Sequence, residues 1–252
     1  MRLEKLFYYP VKALRGIELT QAVYDGHGLV GDRQYILARP DGTMLTRRSH
    51  PGLAEIWVDV TENHLQFSNS QNSVHIDLFS HGNTVHEINV WKRVVKSYTV
   101  SDVADQFFSD YLGETVRLFS FMAEDEREAG FRDSRPMLII NLSSVRELEQ
   151  ISRQIIDVRR FRPNIITDTG IPFSEMKWKS LTIGDQQYRI EKPCTRCVII
   201  NQNPDSGKTD SNLLRTLADL PANNHIPLFG QYISPEQLSG RLNTGDPIRV
   251  LK

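Results

Sequence analysis

Short apolar segments separated by polar turns fill the first hundred of the 252 residues, and they restrict the fold more than any other feature of the chain. Asp41-Gly42, between two such segments, is a strong hairpin signal. In residues 73–78, Val74, Ile76 and Leu78 alternate with polar residues, as in a strand with one buried face. Strands are predicted at residues 3–9, 33–38, 43–46, 55–60, 65–67, 73–78, 84–90 and 94–100. The region is therefore a sheet or a barrel and not a helical bundle.

Few segments have helical periodicity. In residues 101–112 apolar side chains recur at helical spacing, Ser101 can cap the start, and Gly113 can end the helix. A second helix is predicted to open with a capping box from Ser144 to Glu147. A third helix is predicted at residues 211–220, and further strands at 137–142, 164–166, 180–183, 187–190, 198–200 and 247–251. These proportions predict an α+β fold that is predominantly β.

The balance of charge and the pattern of hydropathy exclude several classes of protein. A formal net charge of −1 gives no overall attraction to nucleic acid or to an anionic membrane, so any anion site must be a local cluster. The start of the chain lacks the apolar core of a signal peptide, and no segment approaches the roughly 20 apolar residues of a membrane span. Two cysteines make no disulfide framework, which suits a reducing compartment. We therefore expect a cytoplasmic protein with neither nucleic acid nor membrane as a partner.

Both cysteines lie in one motif, Cys194-Thr195-Arg196-Cys197. Two thiolates cannot complete a four-thiolate zinc site or hold an iron–sulfur cluster without further ligands. Three interpretations stay open on local grounds: a redox dithiol, two buried structural thiols, or one thiolate on a metal whose other ligands come from a cofactor. Arg196 favours a thiolate, because a nearby cation stabilises it. The seven histidines have no spacing typical of a metal site.

Several cationic residues stand at predicted turns or strand ends, where side chains can converge on a ligand. Lys12, Arg33 and Arg162 are the main examples, and Pro163 is expected to restrict Arg162 to an extended conformation. Guanidinium groups bind phosphate through two parallel hydrogen bonds, and an ammonium adds a point charge. The loop that begins at Asp133 adds a carboxylate and a hydroxyl, which suit a polar heterocycle. For any one of these residues the alternative is a solvated surface charge.

Taken in order along the chain, these motifs resemble the MOSC family, named for the C-terminal domain of molybdenum cofactor sulfurase. The resemblance spans nearly the whole chain. It is to the branch with an N-terminal MOSC β-barrel region, which includes the mitochondrial amidoxime-reducing component and bacterial relatives. The matching residues are Tyr9-Pro10-Val11-Lys12 with Gly16, Gly31-Asp32-Arg33, Asp133-Ser134, Phe161-Arg162-Pro163-Asn164-Ile165, Cys194-Thr195-Arg196-Cys197, Pro204-Asp205-Ser206-Gly207, Leu228-Phe229-Gly230-Gln231-Tyr232 and Gly245-Asp246-Pro247.

The resemblance implies a strand-rich N-terminal region, residues 1–110, packed on a MOSC β-barrel domain of residues 111–252, with molybdenum cofactor (a molybdopterin) between them. It implies that Cys197 ligates molybdenum and that Asp133, also expected to be catalytic, lies near the open face of the metal. The residues implied to bind the cofactor are Lys12, Arg33, Ser134, Arg135, Arg162, Asn164, Thr195, Arg196 and Tyr232. Ala13 stands where relatives often carry Ser, so one hydrogen bond to the cofactor is expected to be missing. Arg135 replaces a small hydroxyl residue.

The implied function is reduction of N-hydroxylated compounds, such as amidoximes, hydroxylamines and N-hydroxylated bases, at a Cys-ligated oxo-molybdenum centre. The chain ends at Lys252 without the ferredoxin-like domain that some bacterial relatives carry. Electrons are therefore expected from a separate ferredoxin- or flavoprotein-like protein. Two alternatives belong to other classes: a non-catalytic carrier of molybdenum cofactor or sulfur, and a thiol–disulfide module with a reversible bridge between Cys194 and Cys197.

Overall fold

The computed structural model describes residues 1–61, 63–78, 80–121, 130–134 and 136–251. Its strands up to residue 121 are β1 Leu3–Tyr8, β2 Ile17–Leu19, β3 Gln21–Asp25, β4 Gly28–Leu29, β5 Tyr35–Ala38, β6 Trp57–Val60, β7 His64–Ser68, β8 Ser73–Asp77, β9 Val85–Val90, β10 Arg93–Thr99 and β11 Arg117–Phe121. The later strands are β12 Met137–Asn141, β13 Ile165–Thr167, β14 Ser180–Ile183, β15 Gln186–Thr195, β16 Leu228–Pro235, β17 Ser239–Asn243 and β18 Ile248–Leu251. The fold is α+β and mainly β, so the predicted fold class is confirmed.

Helices are short and few among the described residues. The α-helices are α1 Asp102–Leu112, α2 Leu142–Ser152 and α3 Leu213–Asp219. Short 3₁₀ helices lie at Pro51–Glu55, Val158–Phe161, Ser174–Lys177, Val198–Asn201 and Pro221–Asn223. No helix in the described part of the chain is long and apolar enough to cross a membrane.

The largest sheet has eight strands in the order β18-β14-β15-β16-β12-β13-β1-β2. Only β12 and β13 pair in parallel within it, and α2 makes the crossover between them. Strands β1 and β2 come from the first 20 residues, so the N-terminal segment completes a sheet that otherwise belongs to the second half of the chain. The three-stranded sheet β17-β3-β4 joins the two parts of the chain in the same way. The predicted boundary at residue 110 stays a prediction.

Both faces of the eight-stranded sheet are buried at its centre, at β12 and β13, and alternate residues of β12 divide between them. Leu138 and Ile140 pack on one side with Leu148 of α2 and Leu217 of α3. Their neighbours in β12 point to the opposite side, because successive side chains in a strand face opposite ways. That opposite core contains Leu3, Leu6, Tyr24, Met137, Ile139, Ile165, Leu181, Tyr188, Ile233 and Ile248. A strand buried on both faces explains the continuous apolar run of β12.

Other strands of the first half form a further core around α1. Strands β5 and β11 and the sheet β6-β7-β8 supply its walls, whereas β9 and β10 pack in a separate core with Phe121 and Phe131. Phe108 of α1 packs edge to face on Phe67 of β7, with ring centroids 4.9 Å apart. Ser101 caps α1 by accepting a hydrogen bond from the Ala104 N–H, and Gly113 ends it with φ +70°. The helix at residues 101–112 and both of its predicted caps are therefore confirmed.

Three local predictions are wrong. The second helix begins at Leu142, two residues before the predicted capping box, because the Asn141 side chain already caps it by accepting from the Ser143 N–H. Residues 198–200 belong to a 3₁₀ helix and not to a strand, because the chain turns after β15 and the Ile200 N–H donates to the Cys197 carbonyl. Residues 43–46 form isolated bridges, such as Ala38 with Met44, and no regular strand.

Candidate functional site

A cavity of about 140 Å³ lies where turns of the first half of the chain meet the ends of strands from the second half. Every described residue proposed as catalytic or cofactor-binding lines this one cavity. These residues are Lys12, Arg33, Asp133, Ser134, Arg162, Asn164, Thr195, Arg196, Cys197 and Tyr232. The prediction for Arg135 falls outside the described residues. The roles of the individual side chains stay predictions, although their convergence from six separate segments is a property of the fold.

The two cysteines occupy different environments. Strand β15 runs to Thr195, so Cys194 is buried in the sheet, whereas Cys197 follows the strand and is partly exposed in the cavity. Arg196 donates from Nη1 to Cys194 Sγ at 2.8 Å and from Nη2 to the Phe161 carbonyl at 2.5 Å. Both thiols are free. Cys194 is thus held by neighbours, and Cys197 is the sulfur available to a ligand.

Two guanidinium groups flank the ring of Tyr9, which is buried. The Cζ atoms of Arg33 and Arg162 each lie 4.3 Å from its centroid. Gly16 makes room for the ring, because a Cβ at that position would lie 2.3 Å from Tyr9 Cε1. Asp32 connects Tyr9 and Arg33, because its carboxylate accepts from the Tyr9 N–H at 2.8 Å and from Arg33 Nη1 at 2.5 Å. Burial opposes the charge of Arg33, but attraction to Asp32, with smaller contributions from Tyr9 and Asp133, outweighs burial and raises the pKa of that guanidinium.

The backbone of Arg162 differs from its prediction. Arg162 has φ +50° and ψ +49°, a left-handed conformation and not an extended one, so that prediction is wrong. Its N–H donates to the Arg159 carbonyl and ends the 3₁₀ helix at Phe161. Its Nη1 donates to the Leu14 carbonyl at 2.6 Å. These bonds fix the side chain against Tyr9 and outweigh the local preference that Pro163 imposes.

Lys12 and Asp133 form an ion pair beside the cavity mouth. Lys12 Nζ also donates to the Phe131 carbonyl at 3.0 Å, and Trp91 Nε1 donates to Asp133 Oδ1 at 2.7 Å. Desolvation by the surrounding protein would by itself raise the pKa of Asp133, but the Lys12 charge and the two hydrogen bonds hold that pKa at about 2. Burial lowers the pKa of Lys12, and the negative charge of Asp133 partly offsets this shift. Asp133 is therefore a carboxylate throughout the physiological range.

Asn164 and Tyr232 already have partners inside the protein. Asn164 Nδ2 donates to the Phe7 carbonyl at 3.2 Å, and its Oδ1 accepts from the Leu138 N–H at 3.2 Å. This side chain therefore ties β1 to β12 at the cavity wall. Burial, followed by the hydrogen-bonded Cys194, raises the pKa of Tyr232, so its phenol stays protonated.

Arg47, which is buried, and Arg162, which is partly buried, add positive charge that no carboxylate among the described residues contacts directly. Arg47, which was not among the predicted site residues, donates from Nε to the Ala13 carbonyl at 2.6 Å. Burial followed by repulsion from Arg162 lowers the pKa of Arg47 to about 9, and burial followed by repulsion from Arg33 lowers that of Arg162 to about 10. Both remain charged at neutral pH. Since an unpaired buried charge is costly, the cavity favours an anionic ligand.

The described lining of the cavity contains seven cationic side chains and two carboxylates. The cations are Lys12, Arg33, Arg47, Arg132, Arg160, Arg162 and Arg196, and the carboxylates are Asp32 and Asp133. Arg160 is neutralised by Asp210, with Nη2 and Oδ1 2.7 Å apart. Arg47, Arg132, Trp91 and Asp32 were not proposed as site residues. For Arg47 the available signal was its place just after the predicted Asp41-Gly42 hairpin, next to another arginine.

The described residues contain no cluster of three or more His, Cys, Asp or Glu side chains that could hold a metal ion. In this part of the chain a metal could therefore have at most a few protein ligands, and a cofactor would have to supply the others. A partly exposed thiol beside an excess of buried cations suits an anionic ligand that carries a thiophilic metal.

Comparison with known families divides the chain into two matched parts. The MOSC N-terminal beta barrel domain matches residues 1–115, and the MOSC domain matches residues 126–249. The chain belongs to the MOSC family. Its relatives include two kinds of MOSC protein, at modest identity in each case.

Molybdenum cofactor sulfurase of Drosophila grimshawi is 28% identical to this MOSC protein and aligns with 100% of it, but with only 35% of the sulfurase. Mitochondrial amidoxime reducing component 2 of Rattus norvegicus is 26% identical and covers 97% of this chain and 81% of its own length. Mitochondrial amidoxime-reducing component 1 of Homo sapiens is 25% identical, and the alignment covers 98% of this chain and 82% of the human protein. This MOSC chain thus spans about a third of the first relative and about four fifths of the other two.

Proposed function

We propose that this MOSC protein binds molybdenum cofactor and reduces N-hydroxylated compounds such as amidoximes, hydroxylamines and N-hydroxylated bases. The observation that carries the proposal is Cys197, a partly exposed thiol on the wall of a cavity whose described charged residues are mostly cationic. The similarity to amidoxime-reducing components along nearly the whole chain supports the same activity.

The residues present fit the cofactor. Arg47 is buried and donates to one backbone carbonyl, whereas Arg162 is partly buried, donates to another carbonyl and lies over the Tyr9 ring. Neither cation contacts a carboxylate among the described residues, so both suit a phosphate group. Lys12 and Arg33 enlarge the same positive field. Cys197 is a thiol that a metal would hold deprotonated, and thiolates suit soft metal centres. The bound cofactor would supply the two-electron step, in which an N–OH group and two protons become N–H and water.

The protein's own groups would bind and orient the substrate. Asp133 is ionised, with a pKa of about 2, and its side chain is 60% exposed at the mouth. It can therefore accept a hydrogen bond from the N–H or O–H of an N-hydroxylated group. Lys12 Nζ donates to this carboxylate and keeps it in place. Electrons would come from a separate ferredoxin- or flavoprotein-like protein, and we propose a cytoplasmic location.

The test measures molybdenum and pterin per chain after expression with molybdate, in the wild type, Cys197→Ala and the matched control Cys194→Ala. We expect nearly one molybdenum per wild-type chain, a large loss in Cys197→Ala, and retention in Cys194→Ala. Reduction of an amidoxime with a chemical reductant should follow the molybdenum content. A folded wild-type protein without molybdenum, or a Cys197→Ala variant with unchanged molybdenum and turnover, contradicts the proposal.

A second candidate is a carrier of molybdenum cofactor or sulfur. It is favoured by the alignment of the whole chain with about a third of a molybdenum cofactor sulfurase. A carrier should release its pterin to an apo-enzyme within minutes and show no multiple turnover. Slow release together with sustained reduction would exclude it.

A further inference from the structure

The hairpin between β9 and β10 places a tryptophan in a backbone conformation that glycine normally adopts. Val90 pairs with Arg93, so Trp91 and Lys92 form a two-residue loop. Only Trp91 of the two has a positive φ, +56°, the pattern of a type II′ turn, whose first loop residue is usually Gly. A bulky side chain in this region is strained, and such strain tends to occur at functional positions.

The strained conformation directs the indole to the cavity mouth. Trp91 lines the cavity, yet it is 46% exposed, unusually open for so large an apolar side chain. Its Nε1 donates to Asp133 Oδ1 at 2.7 Å. The ring is therefore held at one edge, beside the carboxylate that the proposed function assigns to the substrate. Lys12 Nζ also lies over the ring, 5.9 Å from its centroid, and nearly half of the side chain remains open to solvent.

The ring already carries a planar group. The guanidinium Cζ of Arg48 lies 4.6 Å from the indole centroid, within cation–π distance. Arg48 is exposed, and its side chain makes no hydrogen bond or ion pair with another described residue. Its planar N–C–N group matches the N–C–N group of an amidoxime, an N-hydroxyguanidine or an N-hydroxylated base. The free protein thus presents on Trp91 a chemical mimic of a substrate.

We propose that Trp91 is the surface on which the planar N–C–N group of the substrate stacks, and that the Arg48 guanidinium occupies this place until the substrate displaces it. The inference rests on the proposed function and adds a specificity rule to it. Flat N-hydroxylated amidines and bases bind better than small hydroxylamines without an N–C–N plane. Asp133, held by the indole N–H, then faces the edge of the stacked group.

Trp91 and Arg48 predict opposite changes in affinity. The dissociation constant of N4-hydroxycytosine is measured by calorimetry on the purified full chain, with N-methylhydroxylamine as the non-planar comparison. Trp91→Leu should weaken binding of the planar base about tenfold, because stacking on an aromatic side chain contributes that much or more. Arg48→Gln should tighten it about two- to fivefold, because a competing cation–π contact is removed. Arg48→Gln should leave binding of N-methylhydroxylamine unchanged. Trp91→Leu also removes the hydrogen bond to Asp133, so it should weaken binding of N-methylhydroxylamine, but clearly less than binding of the planar base.

Two further variants separate stacking from its alternatives. Trp91→Phe keeps an aromatic face without the N–H donor, and it should bind the planar base better than Trp91→Leu does. Lys92→Gln removes one charge from the same loop without a described contact to the indole, and it should leave affinity unchanged. Weaker binding in Arg48→Gln, or equal losses for the planar and non-planar ligands in Trp91→Leu, would overturn the inference. Because binding is read without turnover, a protein that binds as expected but lacks molybdenum would refute only the proposed function.

Discussion

Replacing Asp32 by asparagine should separate the stability of the site from its affinity for anions. The Asp32 side chain is 0% exposed and that of Arg33 is 16% exposed, with Oδ2 and Nη1 2.5 Å apart. Asp32 also accepts from the Tyr9 N–H at 2.8 Å. The asparagine side chain would keep that backbone hydrogen bond and nearly the same volume, so the change removes one buried negative charge and little else.

The expected cost follows from that geometry. Removing one partner of a buried ion pair typically costs about 3–5 kcal/mol, because the other charge is left buried and unpaired. Since the asparagine retains one acceptor, we expect the lower end, about 3 kcal/mol. For a domain of this size that corresponds to a drop in Tm of roughly 6–12 °C. Inorganic phosphate should restore more stability to Asp32→Asn than to the wild type, because the cavity has become more positive.

The assay is urea unfolding at pH 7, with and without phosphate, compared with the matched variant Asp41→Asn. Asp41 lies in an exposed turn and accepts from the Thr43 N–H, and asparagine is well tolerated there, so the control should change little. If Asp32→Asn lowers the free energy of unfolding by less than about 1 kcal/mol, the reasoning is refuted, because the Arg33 charge would then not need this carboxylate to be stable in the protein. If phosphate raises the free energy of unfolding equally in Asp32→Asn and in the wild type, the argument that the cavity has become more positive is refuted.

Two further predictions concern other residues. Burial raises the pKa of Asp105 from 3.8 to about 6, so the folded state binds more protons between these pH values and stability falls as pH rises from 4 to 6. Asp105→Asn keeps an acceptor for the Leu118 N–H, so it should stabilise the protein by roughly 1 kcal/mol at pH 7 and not at pH 3.5. The free energy of unfolding is measured in urea at both pH values, and a gain in stability that does not depend on pH would contradict this prediction. Gly16→Ala would place its Cβ 2.3 Å from Tyr9 Cε1, so it should lower the free energy of unfolding by about 2 kcal/mol and weaken phosphate binding. In the control Gly52→Ala the nearest atom would lie 3.3 Å from the new Cβ, so a thermal melt should show a smaller loss. Equal losses in the two variants would count against a steric conflict at Tyr9.

Regular elements with strong local signals were predictable. The helix α1 has its apolar face, its Ser101 cap and its Gly113 terminus all encoded within thirteen consecutive residues, and it forms where predicted. The N-cap of the second helix was misplaced by three residues, because Asn141 and Ser144 are both good caps and only the end of β12 decides between them. Local patterns thus predict that an element exists more reliably than where it begins.

The candidate site was predictable only in part. The cysteine motif and the cations at turns are visible in the sequence, and the described ones all line one cavity. Arg47 and Trp91 were missed, because a charge or an aromatic residue near a turn is common and only its burial or its neighbours distinguish it. The conformation of Arg162 was wrong for a related reason: the Leu14 carbonyl, which receives its side chain, lies 148 residues away along the chain.

Residue types and spacing within short segments were enough to predict the strand-rich α+β class, the family and the cysteine motif that reaches the cavity. The pairing of the charges could not be predicted in that way. Asp32 pairs with Arg33, whereas the side chains of Arg47 and Arg162 donate to backbone carbonyls and contact no carboxylate among the described residues. Trp91 donates to Asp133 from a hairpin forty-two residues earlier. The energy of a buried charge depends on its partners, and folding brings those partners together from distant parts of the chain.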